Sequence, residues 1–329
     1  MPVYYYLPEN DRPSWGAGMI YYHVWLLSKN NVEAYVLHDK KPYKLTWLQL
    51  DVHFSYLDDP SLKFSLKDVL IIPEFYADLV QLQKINCKKI VFIQNAFYIF
   101  DGLKNGKRYE DVGISSIFYY MPHLKKVLQQ ITTLPLYETP PFIAPYYFSA
   151  LSHNRSKRII LYPKFDNRDF NILKRMLEDK LQLKESKGLQ KLFSRNNDWQ
   201  LVELKNKKHT EVAAEMQTAA FFVSLNTTEA FNSSVPEAMA AGCINICYEG
   251  FGPADFLENG TNAYVFNNNH IYPLVDTIID LVNRYDQLQE ELTTIRINAR
   301  KTAERYTLAD LEHCLIPLLK PVLSAVVES

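Results

Sequence analysis

Glu229 and Glu237 bracket the segment Thr228-Glu229-Ala230-Phe231-Asn232-Ser233-Ser234-Val235-Pro236-Glu237, which follows an apolar run and opens a helical pattern. A helix that begins at the end of a parallel strand presents unpaired amides and the positive end of its dipole, so it is ready to hold an anion. A carboxylate at each end of the segment can accept hydroxyl donors. Together these features suit a ligand with phosphate in its middle and hydroxyls at both ends, and a nucleotide sugar is such a ligand. Part of the pattern also has a purely structural reading: Ser234 with Glu237 three residues later is a capping box, and Gly242 is the helix stop. Glu229 on the strand-to-helix loop has no such reading, and neither does the lack of bulky apolar residues from Asn232 to Ser234.

Other chemistry-bearing residues are dispersed. Lys164 and Arg168 stand in YPKFDNRDF, just after the apolar run RIILYP, and by themselves read as a solvated basic loop. Gly16-Ala17-Gly18 reads as a tight strand-to-helix turn, and it fails as a dinucleotide fingerprint because Tyr21 stands where the third glycine belongs. Gln94 and Asn95, in FIQNAFYIFDG, could hydrogen-bond a sugar or an acceptor, whereas His23 and His123 read as structural. Lys205, Lys207 and Lys208 read as a solvated turn, and Asp58-Asp59 in LDDP as another. The four cysteines (Cys87, Cys243, Cys247 and Cys314) lack metal-like spacing, so no metal site is expected.

The elements that position these residues alternate short apolar strands with longer helical patterns, which predicts α/β layers on parallel sheets. VYYYL (3–7), EAYVLH (33–38), DVLIIP (68–73) and KKIVFIQN (88–95) read as strands, with a loop over 15–18 before the first helix and a helical stretch over 76–85. SSIFYY (115–120) and PPFIAP (140–145) are weaker strand candidates. A polar break at 146–157 precedes a second series: RIILYP (158–163), a helix over 169–182, a basic loop at 184–197, WQLVEL (199–204), a helix over 209–219, AAFFVSLN (219–226), a short helix over 235–241, CINIC and amphipathic helices from 271 to 305. A chain of 329 residues also exceeds what one core comfortably fills. The predicted division is 1–150, 151–306 and a C-terminal helix at 307–329 that packs back on the first domain. Two facing Rossmann-like domains place a ligand between the carboxyl ends of their strands.

The block from Glu229 to Glu237 resembles the Glu-x7-Glu motif of retaining GT-B glycosyltransferases, notably glycosyltransferase family four. The continuation AMAAGCINICYEGFGPADFLENGTNAYVF is similar to that family's Gly-rich turn, acidic residue and following strand, and the order of elements over 158–267 follows it. The resemblance implies a GT-B fold, two Rossmann-like domains across a cleft, with acceptor binding in the first and donor binding in the second. It implies Glu229 beside the donor sugar, Glu237 at the ribose, amides near Phe231 and Asn232 at the sugar, those of Ser234 and Val235 at the diphosphate, and Lys164 and Arg168 gripping that diphosphate. Gly16, Ala17 and Gly18 correspond to the family's Gly-Gly loop. Ala230 and Asn232 depart from the family's glycines, and Gln94 and Asn95 stand where a histidine is common. The implied reaction is metal-independent, needs no cofactor, and moves a hexose with retention from a UDP-sugar such as UDP-glucose to a glycan or lipid-linked acceptor in polysaccharide biosynthesis. Two other readings compete: a non-catalytic GT-B partner subunit and a UDP-sugar epimerase.

Bulk properties set the remaining expectations. The net charge of −1 with 22% charged residues gives no reason to expect a nucleic-acid partner. Apolar runs stop short of about 18 residues, so no membrane-spanning helix is expected. The opening MPVYYYLPENDRPSW lacks the basic and apolar regions of a secretory signal. The expected location is the cytoplasm, with peripheral association at the inner membrane face allowed. The aromatic content of 13% suits sugar-binding grooves as well as ordinary sheets.

Overall fold

Parallel strands need a crossover of about a dozen residues or more between neighbours, so all their carboxyl ends gather on one edge of the sheet. The computed structural model describes residues 1–8, 14–152, 155–163, 168–181, 198–205 and 207–324, with only the backbone described for Arg168 and for 320–324. The chain divides into unit 1, Met1–Phe142 with Leu308–Ser329, and unit 2, Ile143–Thr307.

Unit 1 begins with β1 (Val3–Tyr6), α1 (Trp15–Lys29), β2 (Ala34–His38), β3 (Phe54–Tyr56), β4 (Val69–Pro73), α2 (Val80–Gln83), β5 (Lys88–Ile93), β6 (Ile114–Tyr119), α3 (Pro122–Ile131) and β7 (Leu136–Glu138). Its seven strands run parallel in the order β3-β2-β1-β4-β5-β6-β7. The strands β1 and β4 are buried along their whole length, which is why they read as unbroken apolar runs rather than alternating ones. Strand order reverses between β1 and β4.

Unit 2 contains β8 (Ser156–Leu161), α4 (Arg168–Lys180), β9 (Gln200–Glu203), α5 (His209–Thr218), β10 (Ala219–Ser224), α6 (Ser234–Ala241), β11 (Ile244–Tyr248), β12 (Tyr264–Phe266), α7 (Ile271–Asn283) and α8 (Gln289–Ala303). Its five strands run parallel in the order β12-β11-β10-β8-β9, with the reversal between β8 and β10. A single apolar core packs Ile159, Leu161, Phe221 and Ile244 of the sheet against Leu173, Leu274, Ile278 and Leu292 of the helices.

The last helix, α9 (Leu308–Ser324), belongs to unit 1. Leu311, Leu315 and Leu319 recur at helical spacing and are buried. Burying each is worth roughly 1.5–3 kcal/mol. On α1, Lys29 pairs with Glu312, and Asn30 Nδ2 donates to Glu312 Oε1 at 2.8 Å.

The structure departs from the sequence pattern at several points. The three-residue strands β3 and β7 close the two edges of the unit 1 sheet and are too short and too exposed to leave an alternation. PPFIAP is not a strand: its prolines lack the amide a ladder needs, and a 3-10 turn at Pro145–Tyr147 follows instead. The helix expected over 76–85 is a 3-10 turn at Glu74–Tyr76 followed by the single turn of α2. The basic loop at 184–197 lies outside the described residues.

One side chain organises the amino edge of the unit 2 sheet. Arg155, just before β8, is buried and donates from Nε to Ala219 O (2.9 Å), from Nη1 to Gln217 O (2.6 Å), and from Nη2 to Met216 O (2.6 Å) and Ala241 O (3.0 Å). These carbonyls end α5 and α6, where a cation also meets the negative ends of both helix dipoles. Arg155→Met removes these four donations, while the weakly donating Cys243 thiol still reaches Met216 O (3.0 Å) and Ala219 O (3.6 Å). Urea denaturation of the variant is expected to show a loss of about 3 kcal/mol or more, and a change under about 0.5 kcal/mol would refute this role.

Candidate functional site

In an open parallel sheet a ligand crevice forms where strand order reverses, outside the carboxyl ends of the two strands that diverge. In unit 2 those strands are β8 and β10. Tyr162 leaves β8 there, and the segment from Leu225 to Ser233 leaves β10 and delivers the chain into α6.

The segment is shaped by backbone constraints. Asn226 Oδ1 accepts the Thr228 amide at 3.0 Å, turning the chain out of the sheet. Asn232 sits at φ +49, in the left-handed region that Asn tolerates better than most residues. Its Nδ2 donates to Ser224 Oγ at 3.2 Å and its Oδ1 accepts from Ser234 Oγ at 2.9 Å, so one carboxamide ties the end of β10 to the start of α6. Phe231 is an anchor, its ring 5.0 Å from that of Tyr306 and 6.0 Å from that of Phe256. Gly252 closes the far side: its amide donates to Glu229 O at 3.2 Å, and a Cβ there would lie 1.6 Å from Ala230 O. Only glycine lets the two backbones approach so closely.

The start of α6 differs from the expected capping box. The N-cap residue is Ser233, in helical conformation and without a side-chain cap, and the Ser234 hydroxyl serves Asn232 instead. The Val235 amide donates to Asn232 O at 2.9 Å, so it is already committed within the turn. Gly242, by contrast, ends the helix at φ +85, with the Cys243 amide on Ala238 O at 2.9 Å.

Glu237 is buried and Glu229 half-buried. Both act on the half-buried Tyr162, whose hydroxyl pKa is pushed up by burial first and then by Glu237 and Glu229. Tyr147, 1% exposed, is raised by burial and then by Glu237. The two glutamates therefore both act on Tyr162 at the β8/β10 reversal, and Glu237 acts on Tyr147 as well; sequence reasoning passed over both tyrosines. Tyr162 was findable, because it directly follows an apolar strand. Tyr147 was not, because it lies in the stretch that reads as a linker.

Lys164 and the side chain of Arg168 lie outside the described residues. Next to Arg168, Asp169 accepts the Tyr248 hydroxyl at 2.8 Å, which fixes the first turn of α4 to the carboxyl end of β11. Lys205 pairs with Glu203 at 2.7 Å and Lys207 with Glu215 at 2.5 Å, so both cations have acidic partners of their own.

In unit 1, Gly16, Ala17 and Gly18 form the first turn of α1 rather than the loop expected before it. Ser14 caps this helix, its Oγ accepting the Ala17 amide at 3.1 Å and its carbonyl the Gly18 amide at 2.9 Å, so those amides are committed too. Gln94 lies against the turn, donating from Nε2 to Gly16 O at 3.1 Å. His23 is fully buried, shares a hydrogen bond with Tyr5, and is held neutral by burial, its pKa pulled down to about 3. Among the described residues no cluster of His, Cys, Asp and Glu is arranged to hold a metal, and no helix is long and apolar enough to cross a membrane.

The family described as Glycosyl transferases group 1 matches residues 184–302. The alpha-1,6-glucosyltransferase of Actinobacillus pleuropneumoniae serotype 7 (strain AP76) is 25% identical over 194 residues, which cover 58% of this chain and 55% of that protein. The chain thus spans about half the length of this curated relative. Among solved structures, sucrose-phosphate synthase from Thermosynechococcus elongatus has a TM-score of 0.70 at 11% identity, covering 98% of this chain and 99% of its own. HepE from Anabaena, in complex with UDP-glucose, has a TM-score of 0.66 at 11% identity, covering 97% and 99%. The two parallel-sheet α/β domains have the GT-B architecture of these solved structures, and residues 184–302 match the Glycosyl transferases group 1 family.

Proposed function

We propose that the chain binds a UDP-hexose in unit 2 and transfers the sugar, with retention and without a metal ion, to a hydroxyl of a glycan or lipid-linked acceptor. The observation that carries this reading is the delivery of Glu229, by the loop after β10, and of Glu237, by the first turn of α6, to the β8/β10 reversal. In this reading Glu229 holds the sugar hydroxyls and Glu237 the ribose. The diphosphate sits at the start of α6, where the helix dipole favours its charge. Lys164 and Arg168 neutralise the leaving diphosphate, the task that a metal performs in other transferases. Phe231 and Asn232 contribute backbone to the sugar pocket. The UDP-glucose bound in HepE and the glucosyltransferase relative support a uridine nucleotide and glucose. The reading belongs to the Glu-x7-Glu enzymes of family four, and it places the reaction in the cytoplasm, at the inner membrane face where the acceptor is lipid-linked.

The competing reading, a non-catalytic partner subunit, rests on the missing family glycines and histidine. Asn232 takes a positive φ of its own, so the loop has a glycine-like turn without glycine, and that support weakens. An epimerase would require acid–base pairs that these residues do not supply.

Three variants test the site. Glu229→Ala is expected to lower transfer from UDP-glucose by about 100-fold or more, while calorimetry still detects UDP; full activity would remove Glu229 from the reaction. A wild-type chain that binds none of a panel of nucleoside diphosphates would overturn the transferase reading. Asn232→Gly keeps the turn and should keep UDP affinity within about three-fold, whereas Asn232→Val forces a β-branched residue to positive φ, a strain above the ~1–2 kcal/mol usual for L-residues, and should weaken UDP binding. Equal affinity in the two variants would show that the conformation of Asn232 is irrelevant to donor binding.

A further inference from the structure

Glu74 directly follows β4, at the carboxyl edge of the unit 1 sheet beside the β1/β4 reversal, and is 1% exposed. Its Oε1 accepts the backbone amides of Gln94 (3.0 Å) and Asn95 (2.9 Å), the two residues that leave β5. Its Oε2 is buried and has no hydrogen-bond partner. Gly102 presses on the backbone of Glu74 so closely that a Cβ would lie 1.7 Å from Glu74 O. Through Gln94 the contacts continue to α1: Nε2 donates to Gly16 O, and a Cβ at Gly16 would lie 2.5 Å from Gln94 Oε1. Asn95 Oδ1 accepts the Phe97 amide at 3.0 Å and starts the 3-10 turn Ala96–Tyr98. One carboxyl therefore ties the turn after β4 to the turn after β5 and, through Gln94, reaches the first turn of α1.

A brace alone does not call for this group. Buried polar atoms are nearly always satisfied, and an orphaned buried oxygen calls for a reason beyond packing. We propose that Glu74 is a positioning residue for sugar transfer, holding Gln94, Asn95 and the Gly16 turn in the arrangement the reaction uses at the carboxyl edge of unit 1. This role rests on the glycosyl-transfer reading above. Burial pushes the Glu74 pKa up to about 8, against the pull of its own amide and then of the Gln94 and Asn95 amides, so the neutral acid is the working form near neutrality. The titratable groups coupled to it are Tyr76 and Tyr109, both raised chiefly by burial, so Glu74 is the group that titrates near neutrality. Because its folded value lies above the ordinary 4.5, the stability it contributes is full below about pH 4.5 and is lost as pH rises through about 8.

Transfer from UDP-glucose, thermal melts and amide exchange at Gln94 and Asn95 are measured for the wild-type chain, Glu74→Gln and Glu74→Ala from about pH 6 to about pH 9. Glu74→Gln can still accept both amides without a charge. It is expected to keep kcat within about two-fold at neutrality, to lose the alkaline fall in kcat and to flatten the decline of the melting point with pH. Glu74→Ala is expected to fold, to exchange faster at Gln94 and Asn95, and to lose about 10- to 100-fold in kcat with the donor KM nearly unchanged, since misplacing a site by about 1 Å costs that much. Wild-type kcat in Glu74→Ala, or an alkaline fall in Glu74→Gln equal to that of the wild type, overturns the proposal while leaving the transferase reading intact. Should Glu74→Ala not fold, the pH profile of Glu74→Gln decides. A wild-type chain with neither transfer nor donor hydrolysis overturns both.

Discussion

The Arg155 guanidinium, donating to four carbonyl oxygens at the ends of α5 and α6 and the start of β10, is the contact on which unit 2 depends. It sits at the amino edge of the sheet, at the opposite end of the strands from the functional residues. Strands are stiff rulers of about 3.3 Å per residue, so whatever fixes β8 against β10 at one end sets how far each reaches at the other. The pairing begins at Ser156 with Ala219 and shifts register before Phe221. From there Leu161 and Val223 stand side by side, and Tyr162 and Ser224 arrive together at the crevice. Arg296 adds a second brace from α8, donating to Gly242 O at 3.0 Å.

At the carboxyl edge the constraints lie in the backbone. Asn232 combines what two residues often share, a left-handed turn and a side chain that bridges strand to helix. Gly252, distant in sequence, sets the floor under Glu229 and Ala230. Glu229 is thus presented by a loop whose path the backbone fixes, and Glu237 by the helix that this loop delivers, the pre-organisation that catalysis by electrostatics requires.

Much of this was legible in the sequence, for identifiable reasons. Buried parallel strands leave unbroken apolar runs, so the central strands of both sheets could be read directly, and the Glu229–Gly242 block announced a strand, a loop and a stopped helix in order. What stayed hidden has no local signature. The three-residue edge strands have no period, and the prolines of PPFIAP contradict its apolar composition. A capping box over Ser234–Glu237 looks the same on paper whether the hydroxyl turns to the helix or, as here, to Asn232. The convergence of Tyr147, Tyr162 and the two glutamates depends on contacts between segments far apart in the chain, and no spacing rule records it.

The return of α9 to unit 1 separates the order of synthesis from the order of completion. Unit 2 is one continuous segment, Ile143–Thr307, so all its parts have been made before α9 is translated. Unit 1 is begun before unit 2, yet the flank of α1 that receives Glu312 stays uncovered until α9 is made. Unit 1 is therefore interrupted in sequence by unit 2, and it closes only with the helix that follows unit 2.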